Sequence, residues 1–391
     1  MRRILPLGAL LLSCAHDPEI LRWDADFYYT EKLYIDGQHD LAIKRYRALR
    51  RTAQDPRDAD EAALMACEVP ARGRRFPEAA VCYEALAADG VDRAVRMRAL
   101  MHAAELRYYE LNQQTEGLKM WTTICRLAAD EAPSQRALDH LFRHGQVDAV
   151  ARGEMMRLFE QLYAADPRGE LADNYLLRGA MLRDDEATPE ALERALVLLD
   201  KLETEFPEAQ TLPDAWMLHT KILHQLQRFA AEAVILERVI ETYETSHVFA
   251  SYALTAHTDA ASRLIALYRG PLQNLERAEL HARHLPEMLK RPRKVLEYLW
   301  LVVEIQEQRG HLREALATCK ELLAMRDHKR ADMAENDKRI CAESETSTMR
   351  ESCERTLADH PPLPAKEVAL AEAKMVELEA KLRLPPAGSA P

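Results

Sequence analysis

Apolar residues recur at three- and four-residue intervals along most of this chain, the spacing that lines one face of a helix rather than of a strand. The pattern predicts amphipathic pairs over residues 19–36 and 39–52, 58–72 and 77–88, and 92–111 and 115–130. Two more helices fall within 134–165, followed by 170–183 with 189–205 and 212–227 with 230–243. The pairs 248–268 with 274–289 and 293–309 with 312–326 complete the run. Thr188-Pro189-Glu190 opens one of these helices, with Thr188 suited to the N-cap and Pro189 to the first helical position. Beyond 326 the pattern turns polar, Pro361-Pro362-Leu363-Pro364 interrupts the chain, and 365–384 reads as one further helix. Residues 385–391, rich in Pro, Gly, Ala and Ser, read as a disordered tail.

The pairs also repeat. Gly37 is followed five places on by Ala42, then by Tyr46 and Leu49; Gly310 is followed by Ala315, then Cys319 and Leu322. A small residue there lets two antiparallel helices approach closely, and the side chains four and seven places further on continue the same stripe. Arg74, Ala79, Tyr83 and Leu86 make a third copy with Arg in place of the turn Gly. Weaker copies hold Gly117 with Trp121 and Ile124, and Phe229 with Ala233 and Leu236. This spacing resembles the tetratricopeptide repeat, and the resemblance implies an all-α fold, an α-solenoid of antiparallel helix pairs. Glu205-Phe206-Pro207-Glu208-Ala209, Gln227-Arg228-Phe229 and Val239-Ile240-Glu241-Thr242-Tyr243 follow an order distantly similar to the tetratricopeptide lipoprotein of the outer-membrane β-barrel assembly machine.

Composition agrees with a helical chain. Only 12 of 391 residues are Gly, against a usual share of roughly 7%, too few for the turns of a large β-sandwich. With 48% apolar residues the chain can bury a core. Its 53 Lys+Arg against 64 Asp+Glu argue against nucleic acid, whose binding needs a basic stripe.

The N-terminus carries an address. Met1-Arg2-Arg3 is basic, Ile4 to Leu12 is a short apolar stretch, and Ser13-Cys14 follows, the order of an export signal too short to span a bilayer as an anchor. Leu11-Leu12-Ser13-Cys14 resembles the lipobox of bacterial lipoproteins, in which the Cys becomes the acylated first residue of the mature chain. The resemblance implies a signal peptide over 1–13 and a lipid anchor on Cys14. It further implies a place in the cell envelope facing the periplasm, with Ala15 after the Cys implying the outer membrane. The expected organisation is then a repeat domain over 14–326, a polar helical extension over 327–384 with a cysteine pair, and the tail 385–391.

In an oxidising compartment the six remaining cysteines are candidates for bridging. Cys341 and Cys353, in a polar segment with few core-forming side chains, are the best pair by local spacing, and a bridge there stabilises by roughly 3 kcal/mol. Cys319 lies on an apolar helix face and reads as a buried small hydrophobe.

Candidate chemistry is sparse. His140 with His144, and His281 with His284, could each share a helix face, but neither makes an HExxH pattern and no third ligand stands at a convincing spacing. They read as surface histidines, and no metal or cofactor is expected. Nothing singles out a nucleophile or an acid/base pair, so no enzymatic activity is expected. The tetratricopeptide resemblance instead implies a concave protein-binding face carried by the first helix of each repeat. In this chain the matching places are Phe27, Glu31 and Tyr34; Glu61, Leu64 and Glu68; and Glu297, Trp300, Glu304 and Glu307. An acidic face with aromatic anchors suits a basic or amphipathic segment of an envelope protein. The expected function is a lipid-anchored scaffold or adaptor. The alternatives are a docking or regulatory subunit of an enzyme complex acting on the cell wall, and a cytosolic co-chaperone.

Overall fold

A computed structural model describes residues 18–127, 131–245, 251–288, 292–342, 349–353, 355 and 366–383. Cys14 and the rest of the proposed signal, the Pro361–Pro364 interruption and the 385–391 tail lie outside the described residues. Every regular element described is helical, and the chain is a tetratricopeptide-like α-solenoid of antiparallel helix pairs. It divides into two compact units, one ending at Thr211 and one beginning at Leu212.

In the first unit the helices are α1 (Pro18–Ile35), α2 (His39–Thr52), α3 (Pro56–Arg72), α4 (Phe76–Asp89), α5 (Arg93–Glu105), α6 (Gln114–Leu127), α7 (Ala132–Gly145), α8 (Ala149–Ala165), α9 (Ala172–Glu186) and α10 (Pro189–Glu205). The second holds α11 (Leu212–Gln225), α12 (Phe229–Thr245), α13 (Ser251–Arg269), α14 (Leu275–Met288), α15 (Pro292–Gln308) and α16 (Leu312–Ala342). A terminal helix, Lys366–Arg383, closes the second unit. Helix α16 runs unbroken past residue 326, where the sequence pattern turns polar.

Helix starts follow from capping. Asp55, Asp92, Asp148 and Thr188 each accept a hydrogen bond from a backbone N–H two or three residues on, satisfying a donor that has no partner within the helix. Between paired helices the chain makes the same reversal repeatedly. Gly37 (φ +80°) and Gly310 (φ +77°) take the left-handed conformation that glycine adopts without cost. Arg74 and Gln227 take it as well, at φ 58° and 57°. At all four, the left-handed residue donates to the carbonyl three back and its successor to the carbonyl five back, as in the 2.9 Å bond from Gln38 to Leu33 and the 2.8 Å bond from Arg75 to Pro70.

The turn sets the register of the second helix. The residue whose N–H donates to the carbonyl of the capping position is Ala42 in α2, Ala79 in α4 and Ala315 in α16, each fully buried where the two helices cross. In α12 that residue is Glu232, not Ala233 as the sequence spacing implies. Glu232 is fully buried, and its carboxylate meets the Arg263 guanidinium of α13 at 2.6 Å and His224 at 2.9 Å. Charge pairing takes the place of close approach at this hairpin.

No hairpin buries its stripe alone. In the first unit, Leu33, Tyr46 and Val69 join α1 to α3, Cys67, Tyr83 and Ala99 join α3 to α5, and Trp121, Leu141, Phe159 and Leu182 join α5 through α9. Cys67 and Cys82 are disulfide-bonded across the α3–α4 hairpin, and Cys341 and Cys353 are bonded near the end of α16. Cys125 and Cys319 are free and buried, and burial pushes their thiols up to about 12 and about 11, far from reactive thiolates. In the second unit the terminal helix places Val368, Ala371 and Leu378 on α15 and α16, covering their apolar stripe.

Candidate protein-binding surface

Successive first helices touch in the first unit, α3 with α5, α5 with α7 and α7 with α9, so their polar sides form a shared surface. That surface is crossed by a ladder of ion pairs. Glu61 of α3 meets Arg98 of α5. Glu105 of α5 meets Arg136 at 2.6 Å and His140 at 3.3 Å, both on α7. Asp139 of α7 meets Arg178 of α9 at 2.6 Å. Each pair is partly exposed and contributes on the order of 1 kcal/mol or less. Together they hold one first helix in register with the next.

The middle of the surface is built by a change of helical pitch. Helix α5 continues as a π turn over Leu106–Glu110, and the wider turn brings two tyrosines to α7. Tyr109 Oη lies 2.8 Å from His140 Nδ1 and Tyr108 Oη 2.8 Å from His144 Nδ1. Gly117 makes room, since a Cβ there would lie 2.7 Å from that of Tyr108. The His140 ring stacks on the buried Trp121 indole, with centroids 4.4 Å apart and planes 6° from parallel. Burial alone would raise the Glu105 carboxyl, but hydrogen bonds from His102 and His140 and the charge of Arg136 hold it well below the usual carboxylate range. Tyr109, 52% exposed, is the aromatic ring of this cluster that most faces solvent.

The residues matched to a concave face have varied surroundings. Phe27 stacks on Trp23 at 5.1 Å and meets the edge of Tyr46 at 5.4 Å. Tyr46 is pushed up to about 12 by burial and by the charge of Glu31. Tyr34 lies under the Arg72 guanidinium at 5.4 Å. Leu64 is in the core, 6% exposed, and offers no surface to a partner. Glu68 accepts from Tyr83 at 2.7 Å and Arg72 at 2.8 Å. Glu297 is half-buried on α15. Trp300 donates to Glu304 at 2.8 Å, Glu304 also pairs with Arg269 at 3.2 Å, and Glu307 is gripped by Lys374 and Lys381 of the terminal helix at 2.9 Å each. Glu61, Glu68, Glu304 and Glu307 therefore already have cations beside them. Their negative charge is partly neutralised within the fold.

His140 and His144 face tyrosines, and His281 stacks on Tyr268 at 6.0 Å. Among the described residues one trio, Glu279, His311 and Glu314, brings possible ligand atoms within 4.8 Å of one another. Both oxygens of Glu279 are engaged, one by Gln306 at 2.7 Å and Arg283 at 3.2 Å, the other by Arg309. A guanidinium on a carboxylate is a poor neighbour for a cation, so the trio does not fit a metal. A cavity of about 150 Å³ lies among α8, α9 and α10 over Phe159, Tyr175 and Gly179, with the Glu160–Arg183 ion pair in its lining. It is about benzene-sized, below the roughly 300 Å³ at which cofactor pockets begin. No described helix is long and apolar enough to cross a membrane.

No family model matches the chain, and no curated protein matches it. Similar solved structures include a tetratricopeptide repeat protein from Parabacteroides merdae, with 13% identity over 72% of this chain and 98% of that one and a TM-score of 0.30. Naa15/Naa10 bound to HypK-THB shares 14% identity over 95% of this chain and 53% of that one, with a TM-score of 0.38. Yeast Tom70 shares 15% identity over 84% of this chain and 63% of that one, with a TM-score of 0.32. The chain thus spans about half the length of the Naa15/Naa10 chain it matches and under two thirds of Tom70.

Proposed function

We propose that this protein is a non-catalytic scaffold of the bacterial cell envelope, acylated on Cys14, that holds another envelope protein on the first-helix surface of its first unit. The observation that carries the scaffold reading is the shared surface of α3, α5, α7 and α9, braced by its ion-pair ladder and presenting Tyr109 beside His140. A rigid surface of this kind binds a partner without paying to order itself. The envelope reading rests on the lipobox-like residues Leu11 to Cys14 and is supported by two bridges, Cys67–Cys82 and Cys341–Cys353, which persist in oxidising compartments.

Two measurements test it. Metabolic labelling with palmitate marks the wild-type protein and is lost with Cys14→Ser; labelling that survives the change removes the anchor. A photo-crosslinking side chain at Tyr109 captures one envelope protein in intact cells, while the same side chain at Val81, exposed on α4, does not. Equal capture at both positions would remove the first-helix surface as the binding face.

A further inference from the structure

In an acidic protein of net charge −11, helix α2 is an exception. It carries Lys44, Arg45, Arg47, Arg50 and Arg51 against a single acid, Asp40. Its apolar stripe, Ala42, Ile43, Tyr46 and Leu49, is buried, which turns all five cations outward, and all five are exposed. Lys44, Arg47 and Arg51, three and seven places apart, make one line along the outer face. Asp40 is already engaged by Arg75 at 3.6 Å. Arg51 donates to the Arg47 carbonyl at 3.2 Å and Arg45 lies over the Tyr29 ring at 4.9 Å. Among the described residues, none of the five forms an ion pair. This contrasts with the first-helix surface, where Arg98, Arg136 and Arg178 each have a carboxylate.

Helix α1, paired with α2, exposes two tyrosines, Tyr28 at 72% and Tyr29 at 48%, and it is Tyr29 that lies under Arg45. Tyrosine rings next to arginines and lysines are the side chains that settle at the headgroup level of a bilayer, ring in the interface and cation against phosphate. We infer that the outer face of α2, with Tyr28 and Tyr29 of α1, is a docking surface for a bilayer of anionic phospholipid, laying the first hairpin against the membrane. The choice of a bilayer over other polyanions rests on the envelope location proposed above, and on the sequence position of this hairpin directly after Cys14. An acyl anchor holds a protein at a membrane without orienting it. A basic face on the first folded hairpin fixes which side lies down and leaves the first-helix surface to a partner.

Each cation near an anionic surface strengthens binding about fivefold, and the attraction decays within about 8–10 Å at physiological salt. The test uses the full chain with Cys14→Ser, so that no lipid on the protein contributes, sedimented with vesicles of phosphatidylcholine containing about one third phosphatidylglycerol. Binding is expected on these vesicles and not on pure phosphatidylcholine, and it weakens steeply as salt is raised. The triple change Lys44→Gln, Arg47→Gln and Arg51→Gln lowers the partition coefficient on the order of a hundredfold. The same change at Lys119, Arg126 and Arg157, exposed on α6 and α8, leaves it within about fivefold. Tyr29→Ser weakens binding while leaving the salt dependence unchanged. All of these side chains are exposed, and an unchanged thermal midpoint verifies that each variant folds.

Equal binding to neutral vesicles, no binding at all, or a triple variant that binds as well as the parent would overturn the assignment. So would tighter binding to duplex DNA than to the anionic vesicles. Because acylation is read by palmitate labelling and docking by the Cys14→Ser protein, loss of either leaves the other measurable.

Discussion

The turns between helices allow a test in which the same position gives opposite signs in two repeats. Gly37 has φ +80°, and a Cβ built on it meets nothing within 4 Å, so Gly37→Ala introduces backbone strain and no clash. A non-glycine residue in this region costs about 1–2 kcal/mol. The unfolded chain simultaneously loses conformational freedom, which returns about 0.4–1 kcal/mol. The net expectation for Gly37→Ala is a loss of about 1 kcal/mol. Arg74 occupies the same turn one hairpin later at φ 58°, exposed and with no ion pair among the described residues. Arg74→Gly therefore relieves the strain and removes no contact, for a gain of about 0.5–1 kcal/mol after the entropic cost. Guanidinium unfolding followed by far-ultraviolet circular dichroism measures both, with hydrogen exchange in α1 to α4 locating the change in the first unit. Gly310→Ala, at φ +77° with nothing within 4 Å of its Cβ, repeats the loss in the second unit. If Arg74→Gly destabilises the protein as Gly37→Ala does, the turn is not held by its backbone conformation and the common reversal is the wrong account of this hairpin.

Three other outcomes follow from the packing. Cys67→Ala with Cys82→Ala removes a bridge between residues 15 apart and should lower stability by about 3 kcal/mol, and the effect of reductant on unfolding should shrink to that of Cys341–Cys353 alone. The Glu105 carboxyl is held below its ordinary value of 4.5 in the folded protein, so its contribution is fully present above pH 4.5 and is lost as pH falls through the lower folded value. Glu105→Gln should accordingly lower stability at neutral pH and flatten the acid limb of a pH–stability profile; an unchanged acid limb would contradict the assignment. Glu232→Ala restores the small residue found at Ala42, Ala79 and Ala315 yet strands Arg263, so a loss of about 3 kcal/mol is expected, tempered by the partial exposure of Arg263. Thermal unfolding of the single variant against Glu232→Ala with Arg263→Leu separates the stranded charge from the lost contact.

Much of the architecture is legible in the spacing of apolar residues, because burying one face of a helix forces that spacing. Gly37, Gly310 and the small residues Ala42, Ala79 and Ala315 identify the hairpins, and all three alanines are fully buried. The same turn at Gln227 carries no such signal, since a left-handed residue without glycine looks ordinary in sequence. That is why the register of α12 is misread by one and Glu232 is missed. The π turn at Leu106–Glu110 is likewise invisible, because widening a helix by one residue has no compositional mark. His140 and His144, which read as surface histidines, prove to be half-buried partners of Tyr109 and Tyr108, 31 and 36 residues away. The Cys67–Cys82 bridge depends on the register of α3 against α4, which spacing along one helix does not contain.

Charge is paired along the repeat. Counting 64 acids against 53 bases describes a surface that repels other acids, and it points to a basic partner. Within the ladder, carboxylate and cation are separated by 31 residues from Glu105 to Arg136 and by 39 from Asp139 to Arg178, about one repeat. In a repeat array, a charge placed on one first helix meets the corresponding place on the next, so acids and bases one period apart neutralise each other. Exposed cations without an ion pair among the described residues occur on both classes of helix, Arg143 of α7 for one, but α2 concentrates five of them on its outward face. On the proposed reading, recognition on the first-helix side comes from shape and from groups such as Tyr109, while long-range attraction comes from the outward face of α2. The two surfaces can then engage different things at once, one by fit and the other by field.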